Sequence, residues 1–273
     1  MFGISLVLGV WCLVIFSMIE SATGLILRTR PLTETSLIVQ WLTPNFGRIA
    51  TVAKGARRNK SPFAAKLDLF LLADFSFSRS RRSDLHTLRE VSVRKTHAAL
   101  RNELGWLRQA SYAAALIEQT TETETPLPAI FDLMKSFLEH LSKQPPQPKT
   151  IFSFEMKLLR ELGLAPNLLP LTRRDATLSP SDGERDGVRG SMLKPRSKLN
   201  PGTAKILGEL TKLDWPALGR LKPSAAQSRE IKQFLHGFLI YHLGKIPRGR
   251  FAALGDEEAN RLQQRLDKAE AAN

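Results

Sequence analysis

The chain changes its hydrophobic period near His97. Before that residue, short apolar segments alternate with polar positions and are separated by turn-forming residues, a pattern typical of β-strands. The expected strands are Gly24–Arg30, Ser36–Leu42, Arg48–Ala53, Leu67–Phe77 and Leu85–Val93. Because a small open sheet would leave its edges exposed, five such strands favour a closed barrel.

After His97 the apolar residues recur at helical spacing. Ser224 and Gln227 have the spacing of a capping box and predict the start of one helix. We interpret the apolar stripes as the packed core of a helical domain rather than as a ligand pocket. The three clearest stripes lie within residues 127–141, 151–162 and 231–242. The sequence therefore predicts an α+β protein, with a barrel followed by a helical domain.

Two segments do not follow either period. Residues 2–18 contain no charged side chain and are just long enough to span a membrane. Three interpretations remain open for this apolar head, residues 1–19: a membrane anchor, a cleaved signal, or a mis-assigned start that precedes a true start at Met18. The other segment, Arg173–Gly202, is rich in charge and poor in apolar residues. We expect it to be a disordered insertion.

The composition narrows the chemistry. The 273 residues include 40 Lys and Arg against 26 Asp and Glu, a formal net charge of +14. Such a chain attracts polyanions, nucleic acid first and anionic lipid second. Its single cysteine, Cys12, excludes an intramolecular disulfide framework and a cysteine-based zinc cluster. A reducing, cytoplasmic setting is therefore expected.

Most of the excess charge lies in the predicted barrel. Residues 25–101 hold fifteen Lys and Arg and five acids. Two basic clusters lie outside strands: Lys54–Lys60, which contains Gly55, and Arg79–Arg82. A basic groove on such a barrel can follow the phosphates of a nucleic acid strand. The candidate DNA-binding residues are Arg28, Arg30, Arg48, Lys54, Arg57, Arg58, Lys60, Arg79, Arg81 and Arg82.

Aromatic residues are interleaved with these cations. Single-strand-binding barrels stack bases on aromatic side chains, and six aromatics offer such platforms. The alternative is that at least half of them fill the barrel core. The six are Trp41, Phe46, Phe63, Phe70, Phe75 and Phe77.

Several tracts resemble the RecO family of bacterial DNA repair and recombination proteins. The similarity begins at Leu27-Arg28-Thr29-Arg30-Pro31 and continues through Glu34–Val39. It is sharpest at Val52-Ala53-Lys54-Gly55-Ala56-Arg57-Arg58-Asn59-Lys60-Ser61. Phe154–Leu159, followed by Gly163-Leu164-Ala165-Pro166, resembles the helix that precedes the family's zinc-binding segment. The resemblance spans roughly residues 24–168, and beyond them only the general helical character matches.

The resemblance implies an N-terminal OB-fold at residues 20–96 and a helical body at residues 97–273. It implies a recombination mediator that binds single-stranded and duplex DNA, anneals complementary strands and, with RecR, helps to load RecA. It also implies that the helical body docks the acidic C-terminal tail of the single-stranded-DNA-binding protein. Many family members carry four cysteines after the Gly-Leu-Ala-Pro helix end, whereas residues 167–202 hold neither Cys nor His. We therefore expect no zinc and no other cofactor.

No motif of covalent catalysis is present. The sequence lacks GxSxG, a Walker loop, GxGxxG and HExxH, and the spacing of the five histidines does not suggest a metal site. We expect a protein that is not an enzyme. The competing class is a membrane-tethered basic adaptor or nucleic-acid-binding protein, anchored by residues 2–18.

Overall fold

The N-terminal part of the chain forms a closed five-stranded barrel. The computed structural model describes residues 19–166, 168, 199–256 and 261. The strands pair in the order β1-β2-β3-β5-β4, and β4 closes onto β1. All pairs are antiparallel except β3–β5, which is parallel. This is the OB-like barrel that the sequence predicts. Its strands are β1 (Ile19–Pro31), β2 (Leu37–Thr43), β3 (Gly47–Ala53), β4 (Leu72–Ser78) and β5 (Leu85–Lys95).

Strand alternation separates an apolar interior from a polar exterior. Buried and partly exposed residues alternate along the whole of β3. Inside the barrel, Trp41 stacks on Phe75 with ring centroids 3.9 Å apart. The indole Nε1 of Trp41 donates to Thr51 Oγ1 at 2.9 Å, so the buried polar atom of the largest core residue has a partner.

Two strands begin five residues away from the predicted start, whereas β2 and β3 begin one residue away and β5 begins as predicted. The first starts at Ile19 rather than Gly24, because residues 19–23 pair with residues 74–78 of β4. The fourth starts at Leu72 rather than Leu67, because Phe70 has a left-handed backbone conformation with φ of 64°. Phe70 instead bonds to Ile26 through its backbone N–H at 2.8 Å. Its buried side chain packs in the core of the helical part.

The helical part is built around one central helix. Every residue from Thr150 to Leu159 of α3 is buried, as expected when helices surround it on all sides. The predicted capping box at Ser224 and Gln227 is confirmed at the start of α5. The helices are α1 (Leu104–Thr120), α2 (Pro128–Leu141), α3 (Pro148–Glu161), α4 (Pro201–Lys212), α5 (Ala225–Leu243) and α6 (Arg250–Ala253), with 3₁₀ turns at Ala98–Asn102 and Trp215–Arg220.

The two segments that follow neither period lie mostly outside the described residues. Residues 1–18 of the apolar head and residues 173–198 of the predicted insertion lie outside the described part of the chain. The carboxyl end of the predicted insertion is ordered, because Asn200 caps α4 by accepting from the Gly202 N–H at 3.0 Å. Within the described part of the chain, no helix is long and apolar enough to cross a membrane.

A buried ion pair ties the end of the chain's helical part to its centre. Arg250 donates from Nε and Nη2 to the two carboxylate oxygens of Glu155, at 2.6 and 2.9 Å. The hydroxyl of Tyr112 donates to the same carboxylate at 2.6 Å. Burial alone would lower the pKa of Arg250, but the attraction of Glu155 raises it above its usual value. The three side chains are almost fully buried, so each depends on the others for its polar contacts.

The helical part covers one stretch of the barrel's outer surface. Leu25, Leu27 and Leu42 belong to the hydrophobic cluster of the helices rather than to the barrel interior. The connection between α1 and α2, residues 121–127, docks on the β2–β3 turn: the N–H of Leu127 donates to the Pro44 carbonyl at 3.1 Å. Gly47 has a φ of 61°, and a Cβ atom there would lie 1.7 Å from the Thr125 oxygen. Only glycine allows this close approach.

Candidate nucleic-acid interface

One end of the barrel carries an exposed group of cations. The β1–β2 loop and the β3–β4 loop both leave the barrel there, because Leu37 at the start of β2 is paired with Pro31 and with Ala53. Arg57 joins the two loops: its N–H donates to the Thr35 carbonyl at 3.0 Å and its Nη1 to the Thr33 carbonyl at 3.3 Å. We call this group the basic end; it consists of Arg30, Lys54, Arg57, Arg58 and Lys60, all exposed.

The Lys54–Lys60 loop holds its cations on a series of tight turns. Gly55 has a φ of 70°, which glycine adopts without strain. The N–H groups of Ala56, Arg57 and Arg58 all bond to carbonyls of the protein. These three N–H groups are therefore not free to bind a phosphate. At these three residues, contacts to a phosphate must come from the side chains.

The second predicted cluster lies at the opposite end of the barrel. In the parallel β3–β5 ladder, Ala50 pairs with Leu85 and Val52 with Thr87. Residues 79–84 therefore precede this ladder, whereas Lys54 follows it. The ladder alone spans two residue steps and separates the two clusters by about 7 Å, since strands rise about 3.3 Å per residue. The fold does not bring them together in one patch.

Within that second cluster, Arg79 forms ion pairs with two glutamates. Its Nε lies 3.0 Å from Glu20 and its Nη1 3.3 Å from Glu124, and its guanidinium lies 5.9 Å from the centroid of the Phe46 ring. Glu124 also lies 3.1 Å from Nε2 of the buried His86. Arg81 and Arg82 are exposed, and no ion pair found in the described part of the chain includes them.

Two further predicted cations hold the barrel against the helices. Arg28 forms a bidentate pair with Glu118 of α1, at 2.6 and 3.2 Å. Arg48 donates from Nε to the Thr121 hydroxyl at 2.8 Å and from Nη2 to the Thr121 carbonyl. Burial lowers the pKa of Arg48, and Glu118 partly offsets that effect. These two side chains fix the position of the helical part on the barrel, and we leave them out of the proposed interface.

The aromatic residues do not form stacking platforms. Five of the six predicted ones are at most 7% exposed, and Phe46, partly buried, packs edge-on against Phe77. The alternative, that aromatics fill the core, is the correct one for Trp41, Phe63, Phe70, Phe75 and Phe77. The basic end can therefore hold a strand through its phosphates, but it offers no aromatic surface to the bases.

The described residues suggest no metal centre. Among them, no group of three or more His, Cys, Asp or Glu side chains could hold an ion. The predicted absence of zinc concerns residues 167–202, most of which lie outside the described part of the chain, and it stays a prediction.

Comparison with known protein families covers both parts of this structure. The family model for the recombination protein O N terminal matches residues 18–97, and that for its C terminal matches residues 101–250. The chain belongs to the RecO family of DNA repair proteins. The C-terminal match includes α4 and α5. The resemblance found by sequence analysis ends near residue 168 and does not extend to these two helices.

Individual RecO proteins are similar over most of the chain. The DNA repair protein RecO of Anaeromyxobacter dehalogenans strain 2CP-C is 32% identical over 231 residues, which is 82% of this chain and 91% of the relative. The RecO protein of Exiguobacterium sibiricum is 27% identical over 83% of this chain and 93% of the relative. That of Rhodopirellula baltica is 30% identical over 75% and 74%, respectively.

The sequence does not reveal which residues bond to Arg28, Arg48 and Arg79. Their partners, Glu118, Thr121 and Glu124, are 45 to 90 residues away in the chain. No local pattern marks these three as partners. One indirect signal exists: Glu118 lies in the last turn of α1, a helix whose buried residues pack against the outer face of the barrel.

Proposed function

We propose that this chain is a recombination mediator that binds single-stranded DNA and anneals complementary strands. The observation that carries the proposal is the basic end, where five exposed cations face solvent. Glu34 is the single acid within residues 29–67, the stretch that contains these cations. Lys and Arg at such a site neutralise phosphates and release counterions, which provides affinity for any sequence. Duplex DNA presents the same charges and also binds.

The buried aromatics support annealing rather than protection of single strands. A protein that stacks many bases on aromatic rings must release them before a complementary strand can pair. The basic end instead holds a strand through phosphates and leaves the hydrogen-bonding edges of its bases open. Annealing breaks and forms no covalent bond, so the protein acts without catalytic residues and without a cofactor.

The RecO family membership supports a set of partners within the cytoplasm. We propose that the chain acts with RecR to load RecA onto strands coated by the single-stranded-DNA-binding protein, and that its helical body docks the acidic C-terminal tail of that protein. Four cations of the helical body lie beside its apolar stripes and are candidates for contacts with this acidic tail: Lys135, Lys157, Arg160 and Lys232. Lys157 and Arg160 donate to the Thr211 carbonyl, and Lys232 pairs with Asp256. Lys135 is the remaining candidate.

Direct binding tests both parts of the proposal. The full chain is titrated against labelled single-stranded oligonucleotides of unrelated sequence, and we expect affinities that agree within a few fold and weaken steeply with salt. Absence of binding at low salt would refute the DNA-binding proposal. A labelled tail peptide is titrated separately, with binding in the micromolar range expected. No anisotropy change at tens of micromolar protein would remove the tail as a partner.

A further inference from the structure

Apolar side chains lie between the cations of the basic end on the outer face of the barrel. Residues directly opposite each other in a sheet share a face, and the register pairs Arg30 with Ile38 and Ile38 with Val52. The neighbouring Val39 and Thr51 are buried inside the barrel. Ile38 and Val52 therefore face outward with Arg30. Lys54, two residues beyond Val52, lies on the same face by strand alternation.

Leu32 extends this apolar face into the β1–β2 loop. It lies two residues beyond Arg30 and is 45% exposed, which is unusual for a leucine in this structure. The loop that carries it is firmly held: the Leu32 N–H donates to the Ser36 carbonyl at 3.0 Å, and the Thr33 hydroxyl accepts from the Ser36 N–H at 3.1 Å. With the bonds from Arg57 described above, the exposed side chain is presented on a fixed backbone.

The helical part does not extend over this face, on which Ile38 and Val52 stay partly exposed. The next row of outward residues, Arg28, Gln40 and Ala50, is where the helices begin to cover the sheet: Arg28 pairs with Glu118, and the Gln40 amide, with its nitrogen placed toward Glu118, donates to the same carboxylate at 2.8 Å. Neither hydrophobic cluster found among the described residues includes Leu32, Ile38 or Val52.

We propose that Leu32, Ile38 and Val52 form a platform that contacts the faces of unpaired bases. This inference rests on the proposed function and adds to it the surface that receives the bases. Charge complementarity selects a nucleic acid strand, because Arg30 pairs with Ile38 on one side of the platform and Lys54 follows Val52 on the other. Arg57 adds a third cation beside Leu32, since its guanidinium bonds to the Thr33 carbonyl. Aliphatic side chains bind nucleobases by excluding water from their faces, as apolar wedges do in other DNA-binding proteins. Stacked bases of a duplex are hidden, so the platform distinguishes single strands from duplex DNA.

The test is Leu32→Ala in the full chain, with binding to single-stranded oligonucleotides measured over a series of salt concentrations. We expect about fivefold weaker binding at every salt concentration, because an apolar contact of this size is lost. The slope of log affinity against log salt stays unchanged, because no phosphate contact is removed. Val52→Thr, which keeps the branched shape, is a second variant with the same expected pattern. Leu104→Ala, at a leucine that is 59% exposed on α1, is the matched control and leaves binding unchanged.

An abasic oligonucleotide separates contact with bases from contact with the backbone. It keeps the phosphates but lacks the bases, so we expect wild type and Leu32→Ala to bind it equally. Equal affinity of the two proteins for the normal strand, with unchanged melting temperature, would overturn the platform and leave the phosphate-based function intact. A Leu32→Ala effect that persists on the abasic strand would also overturn it. If variants of the basic end lose binding while Leu32→Ala binds like the wild type, the platform is overturned and the phosphate-based function stands.

Discussion

Neutralising two cations of the basic end is expected to change the salt dependence of DNA binding. The double variant Lys54→Gln/Arg58→Gln removes two exposed side chains for which no ion pair is found in the described part of the chain. If all five cations of the basic end contact phosphates, the slope of log affinity against log salt for a single strand is about −3.5, because each contact contributes about −0.7. The variant should have a slope of about −2.1.

The difference is large in ordinary buffers. Between 50 and 200 mM salt, the wild type loses affinity about 100-fold and the variant about 20-fold. Fluorescence anisotropy of a labelled oligonucleotide at four or five salt concentrations measures both slopes. Lys205→Gln/Lys212→Gln, which removes two exposed lysines from α4, has the same net charge as the variant and should keep the wild-type slope. Equal slopes for the variant and the wild type, or a reduced slope in this control, would refute the assignment of the basic end.

Three further predictions concern stability and the opposite end of the barrel. Arg250→Met leaves the Glu155 carboxylate buried without its cation. In urea titrations it should lower the free energy of unfolding by about 3–5 kcal/mol. A loss below about 1 kcal/mol would contradict a strongly coupled pair. Burial lowers the pKa of His97, His140 and His236, so the unfolded chain binds protons first as the pH falls below about 6.5. The free energy of unfolding should therefore decrease from pH 7.5 to 5.5, and a constant or rising value would show that these histidines stay accessible. The double variant Arg81→Gln/Arg82→Gln should bind a very short oligonucleotide as the wild type does and should bind a longer one more weakly. The reason is that only a longer strand reaches both ends of the barrel. Equal effects on both lengths would place the two clusters in one patch.

The barrel could be predicted from the sequence because its strands are short and their alternation is local. Asp74, Ser76 and Ser78 alternate with Phe75 and Phe77, and this pattern survives in the structure as an outer and an inner row of β4. The same alternation indicates that Phe75 and Phe77 fill the barrel core rather than stack on bases, since both lie in the inner row. The start of β4 could not be predicted in this way, because Leu67–Leu71 is as apolar as a strand, and only the left-handed backbone of Phe70 shows that it turns.

The candidate site was only partly predictable, because the sequence shows cations but not their partners. Arg57 and Arg58 stay exposed. Arg28 and Arg48 instead contact Glu118 of α1 and Thr121 directly after α1, which lie 90 and 73 positions away. The apolar platform was missed for a related reason. Ile38 and Val52 are residue types that usually fill a core, and they stay partly exposed because the helical part does not extend over them.

The most direct test of the account is the rate at which the protein anneals two complementary oligonucleotides. The wild type, the double variant Arg57→Glu/Arg58→Glu and the control Lys205→Gln/Lys212→Gln are compared at low salt by the loss of fluorescence as labelled strands pair. The account predicts fast annealing by the wild type and the control, and a rate near that of protein-free DNA for the double variant, whose thermal unfolding must match the wild type. Annealing by the folded double variant at the wild-type rate would contradict the claim that the basic end holds the strands.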